Sequence, residues 1–188
     1  MSIRGVKVDH ATIQRWVFKF TPEISSNFNR RKLAIGTSWR MDETYIKVKG
    51  KWKYLYRAVD KKGKTIDFLL TSKRTRRAAH SFLNRAIELN GEPRVINIDK
   101  SGSNKSAIKV YNKRNYSKIK IRQCKYLNNI VEQDHRMIKW RITSGLGFKS
   151  FQSATRTISG IEVVRMIKKN QLDKPCKTTF KSFCSLAA

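Results

Sequence analysis

The chain has 188 residues, enough for one domain with a well-buried core and a small appendage but too few for two full-sized domains. Forty-two Lys and Arg against thirteen Asp and Glu give a formal charge of +29, an excess that opposes compaction and that a polyanionic partner relieves. No apolar run approaches the ~20 residues of a spanning helix, and the basic residues do not cluster beside one apolar face. Nucleic acid, which releases counterions as its phosphates are neutralised, is therefore expected as the partner rather than a membrane.

The opening Met-Ser-Ile-Arg-Gly lacks the apolar stretch of a secretory signal, so a cytoplasmic protein is expected. Cys124, Cys176 and Cys184 are far apart and odd in number, which fits free thiols better than a disulfide framework or a zinc site. Residues Asp9 to Phe20 read as a short amphipathic helix, with Asp9 as N-cap, Ile13, Trp16, Val17 and Phe20 at helical spacing, and Pro22 as the stop. Ser25 to Lys32 is polar and basic and reads as a linker, with a boundary near position 33.

Strand signals follow. Ser38 to Val48 alternates, Lys49-Gly50-Lys51 makes a turn, Trp52 to Val59 is aromatic and β-branched, and Asp60 to Lys64 turns into Thr65–Thr71. Short links make these an antiparallel meander. Ala78, Ala79, Phe82, Leu83, Ala86 and Ile87 then repeat at three and four, predicting a helix that ends at Asn90-Gly91. Arg94 to Ile98 reads as a short buried parallel strand, Asn104 to Tyr111 as a helix, Lys118 to Arg122 as a fifth strand and Asn129 to Arg141 as a helix. This order suits an α/β, ribonuclease-H-like mixed five-stranded sheet with flanking helices, although other mixed α/β folds share it.

Most carboxylates in so basic a chain are expected to be surface ion-pair partners, Glu23, Glu88, Glu92, Glu162 and Asp173 among them. Asp42 lies inside a strand pattern, Asp99 ends an apolar strand and Glu132 starts a helix. Three converging carboxylates can hold two divalent ions about 3.5–4 Å apart, an arrangement suited to in-line phosphoryl transfer. Spacing alone does not separate these three acids from ordinary ion-pair partners, and Asp60 and Asp67 are the nearest competitors.

The words around the acids are more specific. Gly36-Thr37-Ser38-Trp39-Arg40-Met41-Asp42-Glu43-Thr44-Tyr45, Asn97-Ile98-Asp99-Lys100 and Asn128-Asn129-Ile130-Val131-Glu132-Gln133-Asp134-His135-Arg136 resemble the core of DDE-type bacterial insertion-sequence transposases, of the cointegrate-forming branch found in composite transposons. Gly147 to Phe151 and Thr157 to Glu162 extend the resemblance, which spans about positions 7 to 171. It implies a retroviral-integrase-like catalytic core in which Asp42, Asp99 and Glu132 are catalytic and hold two Mg2+ or Mn2+ ions. It further implies DNA strand cleavage and transfer of a 3′ hydroxyl, acting on double-stranded DNA at terminal inverted repeats and target sites. A homodimer or higher oligomer at the bacterial nucleoid would hold both ends.

Arg136 and Lys139, one to two turns beyond Glu132, are candidate phosphate contacts, while His135 is expected to be a packed or surface histidine. Family members also carry an N-terminal helix-turn-helix, and Arg4 to Val17 resembles its turn and second helix. This makes Gln14, Arg15 and Lys19 candidate DNA contacts. The helix that should precede Gly5 has no counterpart here, so an N-terminally truncated copy is expected, with a non-catalytic DNA-binding remnant as the alternative. The expected layout is a partial helix-turn-helix at 1–32, the catalytic core at 33–171 and a tail at 172–188.

Overall fold

Alternating side chains from Ser38 onward generate a meander whose first strand becomes the centre of the sheet. In the computed structural model, which describes residues 2–3, 6–100, 102–143 and 147–187, the chain divides into two compact units, Ala34–Gly147 and the pair of segments Met1–Leu33 and Phe148–Ala188. Within the second of these, Ser2–Ile3 (β1) pairs antiparallel with Val6–Lys7 (β2), and the long helix α1 (His10–Arg30) follows.

The first unit is an α/β sandwich. Ser38–Val48 (β3), Lys51–Asp60 (β4) and Thr65–Thr71 (β5) form the antiparallel meander, α2 (Arg76–Asn90) crosses the sheet, and Val95–Ile98 (β6) returns parallel to β3. Helix α3 (Gly102–Asn115), strand β7 (Lys120–Gln123), a 3₁₀ turn at Lys125–Asn128 and helix α4 (Asn129–Thr143) complete it. The sheet order is β5-β4-β3-β6-β7, with β6 and β7 parallel. Every residue of β6 is buried, as a parallel strand covered on both faces requires. Trp39, Met41, Tyr56, Ile96 and Ile98 meet Phe82 and Leu83 of α2 and Ile108 of α3 in one core. Asn97 fixes the β3–β6 contact by donating its side-chain N–H to the Trp39 carbonyl at 3.0 Å.

Asp60, an expected competitor for the metal, holds the β4–β5 turn instead: its carboxylate accepts from the backbone N–H groups of Lys62, Lys64 and Gly36. Asp67 forms a two-pronged ion pair with Arg85 of α2. Both are structural acids, and the second ties helix to sheet.

In the other unit, Asp9 caps α1 as expected, accepting from Thr12 N–H at 2.6 Å. Pro22 does not stop the helix, and the expected linker is helical through Arg30. A proline inside a helix costs about 3 kcal/mol. Packing offsets it here, because α1 lies against α5 (Phe151–Lys168), with Thr21 buried beside Gly160. A Cβ on that glycine would stand 3.6 Å from the Thr21 hydroxyl, so the helices cross closely. A short helix α6 (Thr179–Cys184) packs on α5, Arg31 pairs with Asp173, and Asn27 donates to the Leu186 carbonyl.

Two differences from the sequence expectation follow. The described part of the expected helix-turn-helix turn is a two-stranded ladder, and α1 finds its partner helix in α5 rather than in a preceding helix. The segment from Phe148 clusters with α1 and not with the sheet, and the compact α/β unit spans Ala34–Gly147. Glu162, expected at the surface, is buried within α5.

Candidate active site

Strand register brings the first two acids together. β3 and β6 run parallel with Arg40 level with Asn97, so two more residues along each chain bring Asp42 level with Asp99 at one end of the sheet. Glu132 lies in the first turn of α4, which packs on β3. One turn further, His135 turns its Nδ1 toward Asp42 Oδ2 at 3.7 Å. Positions three apart share a helix face, so the same side of α4 carries Glu132, which is exposed.

Several acids crowd this corner. Burial pushes the Asp42 carboxyl up to about 7, and the neighbouring carboxylates of Glu43, Asp99 and Glu132 add to the rise. His135 gives no relief: burial, reinforced by the Arg57 guanidinium, holds its imidazole down at about 3, so the 3.7 Å approach joins a neutral ring to an acid and is not an ion pair. The histidine is a packed one, as expected, 5 % exposed and with its Nε2 unpartnered. Among the described residues no Lys or Arg pairs with Asp42.

The basic residue best placed to do so is otherwise engaged. Arg57 stands directly across β4 from Asp42, yet its guanidinium is bound to Asp134 of α4 at 2.6 Å, with the Arg57 side chain wholly buried. Glu43, whose side chain leaves the opposite face of β3, is taken by Asn104 at 2.8 Å and by Arg74. Sequence reasoning missed the roles of Arg57, Asp134 and Glu43. The signal was present in Asp134, two residues beyond Glu132, but pairing across 77 positions has no local signature.

The donor set suits a hard divalent cation, since it is all carboxylate oxygen and carries charge that such an ion would neutralise. Among the described residues no three His, Cys, Asp or Glu side chains form a ready-made chelating cluster. The acids share a field rather than a closed cage. That fits an ion which takes one or two protein carboxylates and completes its shell with water and substrate phosphate.

The expected DNA-contacting residues fall in two places. Arg136 and Lys139 are exposed on α4, beside the carboxylates. Gln14, Arg15 and Lys19 are exposed on α1, in the other unit; Arg15 turns back onto Ala11 and Thr12, and Lys19 lies over the Phe20 ring. No described helix is long and apolar enough to cross a membrane.

A mixed five-stranded sheet of this order with flanking helices defines a ribonuclease-H-like fold of the integrase type. The fold is similar to the catalytic core of BIV integrase (TM-score 0.54, 16 % identity, 80 % of this chain and 95 % of that one). It is also similar to the HTLV-2 integrase catalytic core solved with magnesium (TM-score 0.50, 24 % identity, 62 % of this chain and 75 % of that one). A family model described as a DDE domain matches residues 36–171. The transposase of the insertion sequence-like element IS431mec from Staphylococcus aureus is 40 % identical over 170 residues, covering 89 % of this chain and 75 % of that protein. The chain belongs to the DDE-domain family of insertion-sequence transposases, and its fold and function are those of a DNA transposase of the polynucleotidyl-transferase kind.

Proposed function

We propose that Asp42, Asp99 and Glu132 form the active site of this transposase, holding two Mg2+ or Mn2+ ions, and that the site cleaves DNA at element ends and joins the freed 3′ hydroxyl to a target phosphodiester. The observation that carries the proposal is Asp42: a half-buried carboxyl, raised to about 7, that pairs with no Lys or Arg among the described residues of a chain charged +29. Ordinary folding would have neutralised it. Bound metal supplies charge neutralisation at the attacking and leaving oxygens of an in-line displacement.

The chain's own residues do the rest. Asp42 lies two residues past the last β3–β6 pair, Asp99 lies just past the end of β6 and Glu132 is exposed on α4, so all three adjust to what occupies the site. The Arg57–Asp134 pair keeps the nearest guanidinium from closing on Asp42. Arg136 and Lys139 contact the DNA backbone near the reacting phosphate, and Gln14, Arg15 and Lys19 of α1 contact DNA separately. No protein nucleophile is required: water attacks in cleavage and the DNA 3′ hydroxyl in joining. Two ends must be held at once, so the working form is a dimer or larger.

Labelled oligonucleotide with Mg2+ tests this. Asp99→Ala should abolish joining while leaving DNA retention intact. Joining that survives the substitution would remove Asp99 from the site, cleavage without joining would make the protein a nuclease, and retention without chemistry in the unaltered chain would leave only a DNA binder.

A further inference from the structure

The half of β3 beyond Asp42 borders a second feature that the carboxylate chemistry does not use. Tyr45, Trp52 and Tyr54 form a cluster on the β3–β4 hairpin, Tyr45 edge-on to Trp52 at 6.3 Å between ring centroids and 5.4 Å from Tyr54. Trp52 is 59 % exposed and Tyr45 45 % exposed, so neither is a core residue. Together with Lys47, Lys139 and Ile142 they line a cleft of about 760 Å³ between the hairpin and the end of α4. Lys47 reaches over the Trp52 ring at 5.7 Å.

We infer that this cleft takes a nucleobase of the DNA strand being processed, unpaired from its partner and stacked on Trp52 and Tyr45, with Lys47 and Lys139 on the flanking phosphates. The inference rests on the placement of the reacting phosphate at Asp42. Tyr45 is three residues along β3 from Asp42, about 10 Å at 3.3 Å per residue, and its side chain leaves the opposite face, so the path from the carboxylate to the ring is longer than that rise. A strand of DNA advances about 3.4 Å per nucleotide, so the base lies about three nucleotides or more from the cut.

The occupant is argued from charge and shape. A π-faced cleft flanked by two ammonium groups matches a nucleotide, which carries a flat base and an anion in one unit. A second copy of this chain would bring +29 to a surface already cationic. An unpaired base is required because a stacked one keeps both faces inside the duplex.

The test compares binding of two oligonucleotide duplexes of one sequence, one fully paired and one with three unpaired nucleotides at the 3′ end, in Ca2+ so that no chemistry intervenes. The full-length chain should prefer the frayed duplex by about five-fold or more, the lower range for one base stacked on an aromatic ring. Trp52→Ala should lose that preference while binding the paired duplex as before, and Trp52→Phe should retain it. Equal affinity for both duplexes in the unaltered chain, or an equal loss on both in Trp52→Ala, overturns the inference. Asp42→Asn separates it from the reading of the site: that variant should lose joining in Mg2+ yet keep the preference for the frayed duplex in Ca2+.

Discussion

Replacing Asp134 with Asn should both destabilise the α/β unit and silence it. Asp134 Oδ2 lies 2.6 Å from Arg57 Nη2, with the Arg57 side chain at 0 % and that of Asp134 at 10 % exposure. Removing one partner of a pair this buried costs about 3–5 kcal/mol, because a guanidinium is left without its counter-charge. For a chain of this size each kcal/mol lowers the melting midpoint by about 2–4 °C, giving a fall of about 6–20 °C. The orphaned guanidinium recovers part of this by turning to Asp42, directly across β4. That new pair draws the Asp42 carboxyl down from about 7 and competes with metal. Thermal unfolding reads the first effect, carbon NMR of the Asp42 carboxyl during a pH titration the second, and joining assays the loss of function. The double change Arg57→Met with Asp134→Leu removes both charges and should restore stability to near the original. A midpoint within about 2 °C of the unaltered chain for Asp134→Asn, or an Asp42 carboxyl that still titrates near 7, would refute the reasoning.

The Asp42 carboxyl also dictates a pH dependence. Its folded value lies above the ordinary 3.8, so the folded state keeps a proton that the unfolded chain has released, and ionisation costs stability increasingly from about pH 4 until the cost is complete above about 7. Asp42→Asn should therefore match the unaltered protein below pH 4 and exceed it at pH 8, by a few kcal/mol at most. Added Mg2+ should raise the melting midpoint of the unaltered chain at pH 8 and leave that of Asp42→Asn unmoved. In the other unit, Gly160→Ala should hold within about 1 kcal/mol, since its Cβ meets Thr21 at ordinary contact distance and Ala favours helix. Gly160→Leu should cost about 1–3 kcal/mol by forcing α1 and α5 apart, measured by urea unfolding. Affinity for nonspecific duplex should fall linearly on a log–log plot against salt. A flat line would remove Lys and Arg contacts to phosphate from the account.

The meander, α2 and β6 were legible because burial on one face writes its period into neighbouring residues, and β5 falls at Thr65–Thr71 as expected. Pro22 misled because the residues that offset its cost sit in α5, more than a hundred positions away, where no helix was anticipated. The same limit hid the Arg57–Asp134 pair and the aromatic cleft: Tyr45, Trp52 and Tyr54 fit a strand pattern, and only the hairpin's register reveals that their rings meet on one face. Asp60 shows the converse. Its place at a turn suggested a rival ligand, and three backbone donors account for it.

The strand that carries Asp42 is clamped on both edges only at its root, where Ser38–Arg40 lies between β4 and β6; beyond that, β4 is its one hydrogen-bonded strand neighbour among the described residues. Mechanically this is a cantilever with the acid just past its fixed end. Tension applied to the free tip by a bound polymer would reach the carboxylate as a bending moment, coupling strain in that polymer to the placement of the oxygen pair.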